Sequence, residues 1–422
     1  MTKRRTFLKK SLWTSATLLT VGSCGVPFSS KPRPEGDELL SRFKAIAKAP
    51  VLQRSLIKEA VAIDHIGVYQ SGKHFFLQVR SEDGHTGTAS MKPKYAKRVF
   101  PLVYEMISPV IRGEDARDWD QLLRSIYIEK LNYKWQGLAF WVAVAYVELA
   151  VLDMLGRACN QPIGTLLGGR VRDQVNIYYA SGNRGNTPEE EVAYLQELID
   201  ESGAKAVKYR LGARMHYTEG SNRRDEALIP LARKTLGDDT VIYTDANGSF
   251  DVPRGIETGR ILEDYGTDFF EEPCPFDYYE ETRAVAKALK VPIAGGEQEA
   301  SMRRFMDFLE SNTLQVVQPD LLFFGGLVRS IKVARMAQIL GRNCTPHISS
   351  KGLGFLYMMH FASCVPNIGP YQEFKGNKDD VPVTSPVRLK PENGRITVPD
   401  TPGLGVEFDA DFLKNAKRLK AV

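Results

Sequence analysis

Cysteine is scarce in this 422-residue chain, and what there is lies scattered. Of the five, Cys24 lies near the start and Cys159, Cys274, Cys344 and Cys364 are spread through the body. No Cys-x-x-Cys spacing occurs, which argues against a zinc ribbon or thiol-redox motif. In a chain this long, which can bury a core of its own, the four are expected as buried thiols rather than a disulfide framework. An excess of one charge is also missing. Lys and Arg number 56 against 51 Asp and Glu, and the surplus is Lys3, Arg4, Arg5, Lys9 and Lys10. Without them the chain balances, which argues against a nucleic-acid-binding protein, since that needs a basic face to neutralise phosphates. Long apolar runs are absent from the first residues: Leu12 to Gly22 falls short of the ~20 needed to span a bilayer. No Gly-x-Gly-x-x-Gly opens the alternating region that begins near Val175, so a dinucleotide fold has no signature here.

What the first residues do contain is an export pattern. Arg4-Arg5-Thr6-Phe7-Leu8-Lys9 fits a twin-arginine leader, and Val21-Gly22-Ser23-Cys24 fits a lipobox. The expectation is an exported protein, periplasmic or membrane-anchored through a lipid on Cys24, with residues 1–23 as signal and 24–50 as a tether. From Val51 the pattern is strand-like, with Ile63 to Tyr69 and His74 to Val79 split by Ser71-Gly72. From Lys94 it becomes helical, and Leu138 to Leu155 is apolar almost all round, as a buried helix is. Residues 51–170 therefore form an α+β domain.

Residues 171–385 change character. Short β-rich runs near 175–180, 205–210, 240–245, 267–271, 292–296, 314–319, 343–346 and 368–373 alternate with helix-length segments. Pro188 and Pro253 stand where helices begin. Eight such strands predict a closed α/β barrel, with a doubly wound open sheet as the alternative. The tail, 386–422, lacks the alternation and is expected to return to the first domain.

Active residues of a barrel sit at the C-terminal ends of its strands. Here those ends read Lys208-Tyr209-Arg210, Asp245-Ala246-Asn247, Glu271-Glu272, Glu297, Asp320, His347 and Glu373. Asp245, Glu271 and Glu297 put one carboxylate on each of three adjacent strands, the oxygen donor set that a hard ion such as magnesium takes. Glu272 can substitute for Glu271, since strand ends are uncertain by a residue. Asp320 beside His347 would orient the imidazole and make its other nitrogen a base. His65, His74, His85, His216 and His360 have no such context, and His360 reads as a core residue.

With those residues stand Leu152-Asp153-Met154-Leu155-Gly156, Leu166-Leu167-Gly168-Gly169, Gln318-Pro319-Asp320 and Pro346-His347. In this order they resemble the enolase superfamily, in its mandelate racemase-like group, from about Val51 to the end. The resemblance implies a modified (β/α)7β barrel under an α+β capping domain. It implies magnesium on Asp245, Glu271 and Glu297, a His347–Asp320 base dyad, and Glu373 hydrogen-bonding the substrate carboxylate. Lys208 and Asn247 join Glu373 as substrate-binding residues, and a homo-oligomer is implied too. One position departs. The family's second lysine on the second barrel strand is Arg210 here, and a guanidinium is effectively never deprotonated. A reaction needing a base on each face of the substrate is thereby disfavoured. The expected function is a magnesium-dependent acid-sugar dehydratase, taking a small carboxylate and eliminating water. The alternatives are a cycloisomerase or epimerase, and a lipoprotein that only binds sugar acids. Gly72, Lys73, His74 and His85 are the capping-domain turn residues that sequence offers for reaching the pocket.

Overall fold

The computed structural model describes residues 34–376, 381–384 and 389–420. The leader, Cys24 and the first part of the expected tether lie outside the described residues. Residues 36–48 of that tether are in fact a helix, because Leu39 and Phe43, four apart, form an apolar face. That face is buried against the barrel helices Met302–Glu310 and Leu327–Ile339.

The capping domain is built on three antiparallel strands, β1 (Ile63–Ser71), β2 (His74–Ser81) and β3 (Thr86–Met91). The turn between β1 and β2 is two residues long, and Gly72 takes its positive φ of 57° without side-chain strain. The helix Leu138–Ala158 crosses the sheet. By length and composition it could cross a membrane, but it lies in the protein core. Gly87 permits the close crossing: a Cβ there would fall 2.0 Å from the Ala150 carbonyl. The two acids of this helix are both buried and both used. Asp153 accepts from the backbone N–H of Thr88 and Leu404, at 2.9 and 2.7 Å. Glu148 accepts from Trp119 Nε1 at 2.8 Å and from the Val328 N–H at 3.0 Å.

The barrel has eight parallel strands: β4 (Gln174–Ala180), β5 (Ala206–Arg210), β6 (Val241–Asp245), β7 (Phe269–Glu271), β8 (Ile293–Gly295), β9 (Val316–Val317), β10 (Asn343–Cys344) and β11 (Gln372–Phe374). Each neighbours the next, β11 returns to β4, and the Cys344–Ile368 bridge closes the gap beside β10. One helix follows each of the first seven strands, which is the (β/α)7β arrangement. Their starts are capped as sequence suggests. Thr187 and Glu190 form a capping box ahead of Pro188, and Asp251 accepts from the Arg254 N–H ahead of Pro253's helix. Several strands are shorter than expected because proline interrupts them. Pro319 and Pro346 cannot donate to a ladder, so β9 and β10 keep two paired residues each. The tail divides its loyalty: β12 (Arg395–Thr397) runs antiparallel to β4, while β13 (Lys417–Arg418) runs antiparallel to β1. Only its end joins the capping sheet.

Candidate active site

Register brings the strand-end residues together. Arg210 pairs with Asp245, and Asp245 with Glu271, so three ionic side chains stand abreast on β5, β6 and β7. Beyond the paired residues, Asp320 and His347 meet in an isolated parallel bridge. Above the strand ends is a cavity of about 910 Å³, closed on its far side by capping-domain residues of the β1–β2 turn and of the segment 90–97. Lys73 and His74 line it as the sequence suggests, whereas His85 is turned to Asp83, 3.4 Å away.

On one wall, His347 Nδ1 lies 2.6 Å from Asp320 Oδ2. Asp320 is fixed in turn. Its Oδ1 accepts from the Leu322 and Phe323 N–H groups at 2.7 and 2.8 Å, and its Oδ2 from Ser349 Oγ at 2.9 Å. The imidazole's Nε2 therefore faces the cavity, 3.2 Å from Glu297 Oε2 and 3.4 Å from Glu373 Oε2. Burial disfavours the imidazolium, but the charges of Glu297 and Glu373 and the bond from Asp320 outweigh it, so the pKa is raised.

Across the barrel, buried Lys208 places Nζ 2.7 Å from Glu271 Oε2, 3.2 Å from Glu373 Oε1 and 3.8 Å from Asp245 Oδ2. Burial opposes its charge, yet Glu271 and Glu373 hold its pKa above the ordinary lysine value. Lys208 is thus a fixed cation, suited to hold a carboxylate rather than to take a proton. Arg210 lies directly against Asp245 and donates Nε–H to the Ser181 carbonyl at 3.1 Å. Glu373 is surrounded by cations. Burial would raise its pKa, but Lys208, Lys375, His347 and Arg210 hold it well below the carboxylate range. As placed, it is an ionised carboxylate with no proton to give. Asn247 is a hub: its Oδ1 accepts from Arg184 at 2.6 Å and from Arg210 and Arg214 at 3.4 Å. Its Nδ2 donates to Asp245 Oδ2 at 3.1 Å.

The expected magnesium ligands Asp245, Glu271 and Glu297 are at one barrel mouth, and each is faced by a basic side chain: Arg210, Lys208 and His347. Among the described residues no three His, Cys, Asp or Glu side chains are grouped tightly enough to hold an ion. The donor set nonetheless suits a hard divalent cation. Glu271 keeps a buried Oε1 without a hydrogen-bond partner. The pKa of neighbouring Glu272 is pushed far up, by burial and then by the charges of Glu297 and Glu271, so negative charge is crowded there. The residues fit such an ion once the guanidinium leaves Asp245.

Sequence reasoning missed one residue at the centre. Lys375 Nζ is 2.8 Å from both His347 Nε2 and Glu373 Oε2, and donates to the Ile348 carbonyl at 2.9 Å. Spacing from Glu373 was the available signal: Lys375 lies two residues on, just past the end of β11, and residues two apart in extended chain share a face. Gln318, whose Nε2 donates to Glu271 at 3.0 Å, and Ser349 also went unassigned. His360 is buried as expected, 3.0 Å from the Leu404 carbonyl.

Similar proteins share this architecture. The chain is 28% identical over 336 residues to an arabinonate dehydratase of Saccharolobus solfataricus, covering 78% of this chain and 86% of the relative. It is 26% identical to a D-galactarolactone cycloisomerase of Agrobacterium fabrum, covering 81% and 90%. The crystal structure of a mandelate racemase/muconate lactonizing protein from Paracoccus denitrificans, complexed with magnesium, superposes with a TM-score of 0.78 at 27% identity. That match covers 86% of this chain and 100% of the other. The family model of the mandelate racemase/muconate lactonizing enzyme N-terminal domain matches residues 60–168, and that of the enolase C-terminal domain-like fold matches 190–412. A capping sheet over a (β/α)7β barrel, with both family models in order along it, makes this chain a member of the mandelate racemase-like group of the enolase superfamily.

Proposed function

We propose that the protein is a hydro-lyase that removes water from an acid sugar. The observation that carries this reading is the asymmetry of the two walls. His347, oriented at 2.6 Å by Asp320, is a base in waiting on one side, and the other side offers Lys208 and Arg210, two cations without a proton-accepting state near neutrality. A substrate carboxylate would be held by Lys208 and Arg210. His347 Nε2 would take the α-proton, and Asp320 would stabilise the imidazolium that results. That imidazolium can then protonate a departing hydroxyl on the next carbon, leaving an enol that becomes a 2-keto-3-deoxy acid. Asp245, Glu271 and Glu297 would hold magnesium, whose charge would favour the build-up of negative charge on the substrate carboxylate as the α-proton leaves. Glu373, ionised, would keep Lys208 and Lys375 in place.

The dehydratase names among relatives support elimination, and Arg210 weighs against a two-base racemisation. The cycloisomerase among them keeps isomerisation as the second reading. The test is incubation with magnesium and pooled aldonic and aldaric acids in deuterated water, followed by mass spectrometry. Loss of water with deuterium at carbon 3 is expected, and an isomeric product would overturn the reading. His347→Asn should reduce turnover by about 10³-fold or more while the fold persists; surviving turnover would place the base elsewhere. Export through the twin-arginine pattern belongs to the same proposal, and cell fractionation of an Arg4→Lys, Arg5→Lys variant tests it.

A further inference from the structure

The 910 Å³ cavity is at the upper end of the roughly 300–1,000 Å³ that drug-sized ligands occupy. A six-carbon acid sugar is smaller than such ligands, so it leaves much of the space unfilled. Charge is distributed as unevenly as volume. Among the described lining residues are eight Lys and Arg side chains and one carboxylate, Glu297. Arg210 and Lys375 belong to the reacting end. Arg214 reaches Asn247 beside it, and Lys92, from the capping domain, donates to the Ser349 carbonyl at 3.3 Å. Lys94 and Lys97 also enter from the capping domain, on the helix Pro93–Leu102.

The helix Pro93–Leu102 makes the point sharply. Its first turn contains no acid, although a helix N-terminus favours negative charge and disfavours positive. Lys94 and Lys97 are three residues apart, so they share one face and repel. Burial, and then the charges of Lys375 and Lys94, weigh against protonation of Lys92. Both arrangements cost stability, and both are relieved by an anion in the cavity. Lys351 and Arg214 extend the basic rim on the barrel side. Gln70, Ser90 and Ser350 supply the hydroxyl and amide groups that a sugar needs along the way.

On the reading that the reacting end takes an acid sugar, we infer that this cavity binds an anionic oligosaccharide: a terminal sugar acid at His347, with further carboxylated sugar units running outward to Lys94, Lys97 and Lys351. Electrostatic attraction gives such a ligand specificity over neutral sugars, and makes binding sensitive to salt.

The test is calorimetric titration of the full chain with three probes: a linear trisaccharide of galacturonic acid, galactonate alone, and neutral maltotriose. The trisaccharide is expected to bind at least tenfold more tightly than galactonate, and maltotriose not measurably. A Lys94→Gln, Lys97→Gln double variant should weaken the trisaccharide about tenfold, and galactonate much less. Raising salt to about 0.5 M should erase most of that difference. Equal affinity for trisaccharide and galactonate, or a folded double variant that binds the trisaccharide as the parent does, would overturn the inference. Deuterium exchange into galactonate is scored separately. Exchange without trisaccharide binding refutes the outer subsite and leaves the dehydratase standing; trisaccharide binding without exchange into any acid does the reverse.

Discussion

Lys375 holds its ammonium 2.8 Å from the one nitrogen that a base at His347 must use. In the resting site it donates to that nitrogen, so an incoming substrate must draw it aside, and a carboxylate or hydroxyl of the substrate is the group able to do so. Its charge also opposes protonation of the ring, against the carboxylates that favour it. Because the net effect raises the imidazole above the ordinary histidine value, kcat/KM should fall as pH drops through a point above that value. Lys375→Met removes the opposing charge. The acid limb should then move up by about one pH unit, and Lys375→Arg should leave it near its original place. An acid limb that does not move in Lys375→Met would show that the ammonium is uncoupled from the base. At this scale the sequence was informative where chemistry repeats at strand ends, as for Asp245, Glu271, Glu297, Asp320 and His347. It was silent on pairings across the barrel. Nothing in the order of residues says that Arg210 lies on Asp245, or that Glu373 is hemmed in by four basic side chains.

Among the elements, the helix Gly354–Cys364 shows how a buried polar group couples structure to pH. His360 donates Nε2–H to the Leu404 carbonyl while its Nδ1 has no hydrogen-bond partner. Burial drives its pKa down to about 4, so the folded protein keeps it neutral where an unfolded chain would protonate it. Stability is present in full above the unfolded value and is lost as pH falls between about 6.5 and 4, by roughly 3 kcal/mol. His360→Gln preserves a donor to Leu404 without a titrating ring. Urea unfolding at pH 7 and pH 4.5 should show a smaller acid loss in this variant, and an equal loss in both proteins would refute the coupling. Elements were legible where periodicity was strong. The all-round apolar stretch at 138–155 became the buried helix Leu138–Ala158, and the eight strands appeared in their expected places. Shortened strands at Pro319 and Pro346 follow from a rule that sequence also contains. The helix Gly36–Lys48 was harder, because its apolar face is narrow and its reason for existing is a pair of barrel helices far along the chain.

On the scale of the whole molecule, domains are joined by single polar groups as well as by apolar packing. Glu148, in the long capping-domain helix, accepts from the Val328 N–H at the start of the barrel helix Leu327–Ile339, which has no side-chain cap of its own. Burial raises its pKa to about 7. The chain end makes a second connection. Tyr69 pairs with Arg418 and Gln70 with Lys417, and the Leu419 N–H donates to the Val68 carbonyl at 2.8 Å. Ending the chain after Asn415 removes this strand and bares the edge of β1. The melting temperature should fall by about 2 °C, and amide exchange in β1 should quicken. Unaltered exchange would mean that the edge needs no partner. The pairing of β13 with β1 also has a meaning in time. A ribosome delivers β1 first and its partner only later, with the whole barrel made in between. Until then the first sheet is a product awaiting its seal, and it can close only after every strand of the barrel has been made.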